Sequence, residues 1–141
     1  MMNKVNGVII NQEEARLLCK EYNLVKCAKY IMSLGPEFTV IKKGENGALL
    51  FFEDAIFPAP AYPLDAVVDP TGAGDSFAGG FLGHVAQQKK KTVNVMKEAV
   101  IYGNVMGAFA VQDFGVSSLL SLSKSDIQKR YLMYRDMVSF S

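Results

Sequence analysis

Apolar residues along this 141-residue chain fall into short β-type runs and longer helical spacings that alternate. Val5 to Ile10 reads as a short buried strand. Asn11 then suits a helix N-cap, with Glu14 three residues on as in a capping box, and the helix runs to about Tyr22. A second helical pattern spans Val25 to Leu34, with Ala28, Ile31 and Met32 on one face, and Gly35-Pro36 stops it. Phe38 to Ile41 and Ala48 to Phe52 are β-rich runs, and the Asn46-Gly47 pair between them predicts a tight turn joining adjacent strands. Ala55 to Tyr62 is extended, but Pro58, Pro60 and Pro63 confine it to an edge or a loop. Ala66 to Val68 forms a short strand entering a glycine-rich segment. Three helical patterns close the chain. Asp75 to Gln88 carries Phe77, Phe81 and Val85. Val93 to Asp113 carries Met96, Val100, Gly103, Met106, Gly107 and Ala110. Asp126 to Phe140 carries Ile127, Tyr131, Tyr134 and Val138 behind a Ser123-x-x-Asp126 start signal. Alternating strands and helices, with no internal repeat or linker, predict one layered α/β domain.

Composition narrows the function classes. Half the residues are hydrophobic and 21% are charged, enough apolar matter for a core. The formal net charge of +1 gives no global field for nucleic acid or acidic membranes. The one basic run, Lys89-Lys90-Lys91, lies between helical patterns and reads as a solvated loop. Cys19 and Cys27 lack metal spacing and read as reduced, partly buried thiols. Neither a signal peptide nor a long apolar span is recognisable, so a soluble, cytoplasmic protein is expected.

Candidate chemistry concentrates in VVDPTGAGDSFAGGF, Val67 to Phe81. Here a strand runs into a glycine turn and then a helix. Such a turn exposes backbone N–H groups at the positive end of the helix dipole, and Gly72, Ala73 and Gly74 leave an anion room to approach. Asp75 stands in the first helical turn beside that site. A carboxylate next to a phosphate site repels it unless it has a task, and deprotonating an acceptor hydroxyl is such a task. The plainer alternative is a first-turn acid that complements the dipole, with glycines present only for turning. The segment is not a P-loop, because no GK[ST] follows, and it lacks the third glycine of GxGxxG. The glycine loop also comes late in the chain, unlike that of dinucleotide-binding folds.

DPTGAGDSFAGGF closely resembles the C-terminal signature of the ribokinase-like (PfkB) kinases. The resemblance implies a ribokinase-like three-layer α/β/α fold and ATP-dependent phosphoryl transfer to a hydroxyl of a sugar, sugar acid or nucleoside. It implies Asp75 as the catalytic base, and Gly72, Ala73 and Gly74 with the Asp75 amide as the anion hole. Asp69 and Thr71 match lead positions that hold a monovalent cation, such as K⁺, in some relatives, although Pro70 stands where many relatives have threonine. Asn11 to Glu14 resembles the family's N-x-x-E motif, which organises Mg²⁺ and phosphates partly through water; helix capping alone also explains these residues. Lys42, Gly44 and Gly47 resemble a T-x-G-x-x-G loop that borders ATP, with Lys42 replacing threonine. Asn104 and Gly107 lie where relatives build a wall of the adenine pocket, and Phe114-Gly115-Val116 resembles the loop after it; helix packing explains the glycines equally well. His84, the only histidine, is assigned to a surface or helix-packing role rather than to catalysis.

The resemblance covers the chain but only the C-terminal half of such a domain. The half that carries the acceptor pocket and lid is not recognisable, which predicts negligible turnover by this chain alone. The expected partners are a small-molecule acceptor and either a missing N-terminal half or a second copy in a homodimer, with no nucleic acid and no membrane. The rival reading is a non-catalytic fragment that binds nucleotide or a partner chain.

Overall fold

A computed structural model describes residues 7–64, 72–112 and 122–139. The expected strand at Ala66 to Val68, the cation positions Asp69 and Thr71, and Phe114-Gly115-Val116 lie outside the described residues. The chain forms two compact units, Met1–Ala59 and Pro60–Ser141.

The first unit is a four-stranded mixed sheet with two helices. Strand β1 (Gly7–Asn11) leads into helix α1 (Gln12–Cys19), and helix α2 (Leu24–Ser33) leads into strand β2 (Phe38–Lys42). β1 and β2 pair in parallel, Gly7 opposite Phe38 and Asn11 opposite Lys42. Strands β3 (Ala48–Phe52) and β4 (Ala55–Ala59) extend the sheet antiparallel in the order β1-β2-β3-β4. Ala15, Cys27 and Ala28 of the helices pack on Ile41 and Phe51, with Ile10 and Leu49 around them. Small helical residues there let the helix axes lie close to the strands.

Both faces of β2 are buried, since Val40 and Ile41 are each fully enclosed, and a strand of this kind reads as a continuous apolar run rather than an alternation. Among the described residues β4 is a terminal strand, and Pro58 is tolerated there because no further ladder needs its missing N–H. The hairpin expected from Asn46-Gly47 is present, but its connection is longer than a two-residue turn. A single 3-10 turn, Gly44–Asn46, lies inside it, and Lys43 N donates to the Gly47 carbonyl at 2.7 Å. The thiols of Cys19 and Cys27 are free. Burial, followed by the neighbouring Cys27 thiol, pushes the Cys19 thiol upward in pKa.

The second unit contains helices α3 (Ala73–Gln87), α4 (Val93–Gln112) and α5 (Lys124–Val138). α5 starts two residues before the expected Asp126, because Asp126 is the N3 member of a capping box with Ser123. α3 and α4 approach closely through glycines. A Cβ on Gly80 would sit 2.7 Å from the Tyr102 carbonyl, and one on Gly103 would sit 2.8 Å from the Phe77 ring. α4 and α5 meet through stacked rings, Tyr102 on Tyr131 at 4.2 Å and His84 of α3 on Tyr102 at 4.7 Å. His84 Nε2 also lies 3.2 Å from Glu98 Oε1, so its ring is part of helix packing, as expected. No helix among the described residues is long and apolar enough to cross a membrane.

Candidate functional site

The start of α3 has the features of an anion cradle. Gly72 is its N-cap in the left-handed region, φ 85°, and makes no side-chain capping bond. The first bond into the helix is Ser76 N to the Gly72 carbonyl, 3.0 Å. The N–H groups of Ala73, Gly74 and Asp75 precede it, and the first N–H groups of a helix have no partner within the helix. Among the described residues nothing lies within 4 Å of where a Gly72 side chain would be, so they leave the cradle open from that side. Asp75 is in the first turn and exposed, not turned into the core. On α4, a Cβ on Gly107 would sit 3.6 Å from the Ala73 carbonyl, so Gly107 borders the same turn.

Asn104 lies one turn before Gly107 and is engaged with its own unit. Its Nδ2 donates to the Pro60 carbonyl at 3.2 Å and to Tyr134 Oη at 3.0 Å. Tyr134 Oη in turn donates to the Pro60 carbonyl. Burial raises the Tyr134 pKa, and the bond from Asn104 works in the opposite direction.

The first unit gathers the remaining candidates at the C-terminal ends of its parallel strands. Asn11 Oδ1 accepts from Glu14 N at 2.7 Å, and Glu14 Oε1 accepts from Asn11 N at 3.2 Å, a complete capping box. Asn11 is opposite Lys42 in the ladder, and Lys42 leads into the Gly44–Asn46 turn. Gly44 (φ 58°) and Gly47 (φ 92°) bracket that turn in backbone conformations that other residues rarely adopt. Ligands of open α/β sheets bind outside such strand ends. Asn11, Glu14, Lys42, Gly44 and Gly47 thus occupy one end of the first unit. Gly72, Ala73, Gly74, Asp75 and Gly107 gather in the second.

Capping and metal binding are compatible at Glu14, since only Oε1 is used in the capping box. Among the described residues no three His, Cys, Asp or Glu side chains converge.

A groove of about 520 Å³ in the second unit was not foreseen from the sequence. Tyr62, Pro63, Leu64, Gln112 and Arg130 line it. The Arg130 guanidinium lies 3.9 Å from the Phe109 ring and 4.7 Å from the Tyr62 ring, and Arg130 Nη1 donates to Gln112 Oε1. The i, i+4 spacing of Arg130 and Tyr134 on α5 was the available signal, but their partners come from distant segments.

The sequence pattern of the pfkB family carbohydrate kinases matches residues 1–122. The chain belongs to that family. Over 91 residues it is 38% identical to the aminoimidazole riboside kinase of Salmonella typhimurium, covering 64% of this chain and 28% of the relative. The crystal structure of aminoimidazole riboside kinase from Salmonella enterica, complexed with aminoimidazole riboside and an ATP analog, superposes with a TM-score of 0.80 at 28% identity. That match covers 93% of this chain and 43% of the other. The ribokinase of Thermotoga maritima superposes with a TM-score of 0.77 at 24% identity, covering 94% and 43%, and shows the fold alone. The fold is therefore that of ribokinase-like pfkB proteins, of which this chain spans less than half the length of the relatives it matches.

Proposed function

We propose that this chain is the nucleotide-phosphate and catalytic part of a pfkB kinase that moves the ATP γ-phosphate to a hydroxyl of a sugar, sugar acid or nucleoside. The observation that carries this reading is the uncapped, open start of α3 with Asp75 exposed in its first turn. An uncapped helix N-terminus is a ready site for a phosphoryl oxygen. The N–H groups of Gly72, Ala73 and Gly74, with that of Asp75, hold the migrating phosphoryl group where its charge develops. The Asp75 carboxylate takes the proton of the acceptor hydroxyl. That oxygen bonds to the γ-phosphorus as the bond to the β-phosphate oxygen breaks, and ADP leaves with the electron pair.

Asn11 and Glu14 are suited to hold hydrated Mg²⁺, which when bound neutralises charge on the nucleotide phosphates. Lys42 adds positive charge beside the phosphates, and Gly44 and Gly47 shape the turn that borders the nucleotide. Asn104 and Gly107 form a wall of the adenine pocket. Asp69 and Thr71 are assigned to a monovalent cation, K⁺, on the family resemblance alone. The acceptor pocket belongs to a further half of such a domain or to a partner copy.

The test is Asp75→Asn in an enzyme that carries both halves. Turnover should fall by about 10²–10⁴-fold, the usual weight of a general base, with ATP affinity nearly unchanged. Near-normal turnover would remove Asp75 from the role of base. A second reading is a fragment that binds nucleotide or a partner without catalysis. ATP binding together with no turnover, even when an acceptor half is supplied, would select it.

A further inference from the structure

The two cysteines of the chain meet inside the first unit. Cys19 is the last residue of α1, and Cys27 lies in the second turn of α2. The Cys19 thiol donates to the Cys27 carbonyl at 3.5 Å, so its sulfur already rests against the other cysteine. The Cys27 thiol is also within hydrogen-bonding reach of Cys19. Cys27 gives its own proton to the Glu21 carbonyl at 3.1 Å, which leaves its sulfur lone pairs uncommitted. Cys27 is fully enclosed, whereas Cys19 is half-buried beside the exposed Leu18. A small oxidant therefore meets Cys19 first. The sequence holds no other cysteine, so an intramolecular disulfide has one possible connectivity.

We infer that Cys19 and Cys27 are a redox switch, in which a hydroperoxide oxidises Cys19 and Cys27 closes a disulfide that staples α1 to α2. The Cys19 thiolate attacks one peroxide oxygen and the O–O bond breaks. Cys19 becomes a sulfenic acid, and the hydroxide released takes a proton to become water. Cys27 then loses its proton, and its sulfur attacks the Cys19 sulfur. The S–S bond forms as the S–O bond breaks, and a second water leaves. Two thiols are oxidised to one disulfide while one hydroperoxide is reduced, to two waters if it is hydrogen peroxide. Burial, and after it the neighbouring Cys27 thiol, raises the Cys19 pKa, so the pair stays reduced near neutral pH until an oxidant is present. The staple fixes the helix whose first turn carries Glu14. It does not depend on the kinase reading.

The experiment treats the reduced chain with hydrogen peroxide and follows it by mass spectrometry and thiol titration. The chain should lose two hydrogens, lose both titratable thiols and remain a monomer. A tryptic digest should then join residues 17–20 to residues 27–29, and dithiothreitol should separate them. Oxidation should speed up by about tenfold per pH unit between pH 7 and 8, following the thiolate fraction of Cys19. The oxidised chain should unfold at a urea midpoint about 1 M higher, because the closed loop restricts the unfolded state. Cys27→Ser keeps a donor to the Glu21 carbonyl but removes the resolving sulfur; it should leave a sulfenic acid at Cys19 that dimedone traps. Cys19→Ala should leave Cys27 unreacted. Two thiols still titratable after peroxide, cross-linked dimers, or a lower midpoint on oxidation would each overturn the inference.

Discussion

At the scale of single residues, Gly72 and Thr39 show opposite ways in which local chemistry departs from the average. Gly72 holds φ 85°, with open space among the described residues where a side chain would stand, so strain rather than crowding by them opposes any substitution. That conformation turns the chain into α3 and leaves its first amides outward. Thr39 is fully buried in β2, and among the described residues its Oγ1 has no hydrogen-bond partner. A valine has the same shape without the unpaired hydroxyl. Thr39→Val should raise stability by about 1 kcal/mol, the scale of releasing one unsatisfied buried group, as read by urea unfolding. A loss of stability would mean that the hydroxyl has a partner in solution.

At the scale of elements, the close approach of α3 and α4 depends on where the glycines lie on one helix. Gly80 faces the Tyr102 carbonyl, whereas among the described residues Gly79 meets nothing within 4 Å. Gly80→Ala should destabilise by about 1–3 kcal/mol through overpacking. The adjacent Gly79→Ala should stabilise by about 0.5–1 kcal/mol, because helix propensity alone acts there. Thermal unfolding of the pair checks both, and equal effects would contradict the packing. Three tyrosines at the α4 and α5 packing, Tyr102, Tyr131 and Tyr134, are raised above the ordinary 10.0 mainly by burial. The folded form keeps those protons where the unfolded chain begins to release them. The associated stability is complete below pH 10 and is lost as pH rises through the higher native values. Urea midpoints measured between about pH 8 and 11 should fall with pH, and Tyr134→Phe should flatten part of that fall.

At the scale of the whole molecule, the chain covers 28% of one curated relative and 43% of a solved one. Phosphoryl transfer needs an acceptor hydroxyl held in line with the phosphorus, a positional effect that amides and one carboxylate do not supply. The chain alone is expected to bind Mg·ATP weakly and to show negligible phosphorylation of any sugar. A coupled assay run beside a binding titration checks this. Robust turnover by these residues alone would show that the acceptor is held without a further half.

The sequence was legible wherever the signal is local. Asn11 and Glu14 form the expected capping box, Ala48 to Phe52 is the expected strand, and Ser123 caps α5 through Asp126. These features are set by neighbours within a few residues, where backbone bonding and side-chain period act directly. The start of α3 was legible to within two residues, Ala73 rather than the expected Asp75, since the bond that opens it, Ser76 N to the Gly72 carbonyl, joins near neighbours. The turn between β2 and β3 was less legible. The Asn46-Gly47 pair names a turn, but the register of the two strands set its length. Tertiary structure alone decided the fate of Asn104, whose Nδ2 donates to residues 44 and 30 positions away. It likewise brought Arg130 to Tyr62 and Phe109, and placed Gly80 but not Gly79 against α4. Such contacts depend on which faces meet after folding, and no local propensity encodes which distant partner will complete a hydrogen bond.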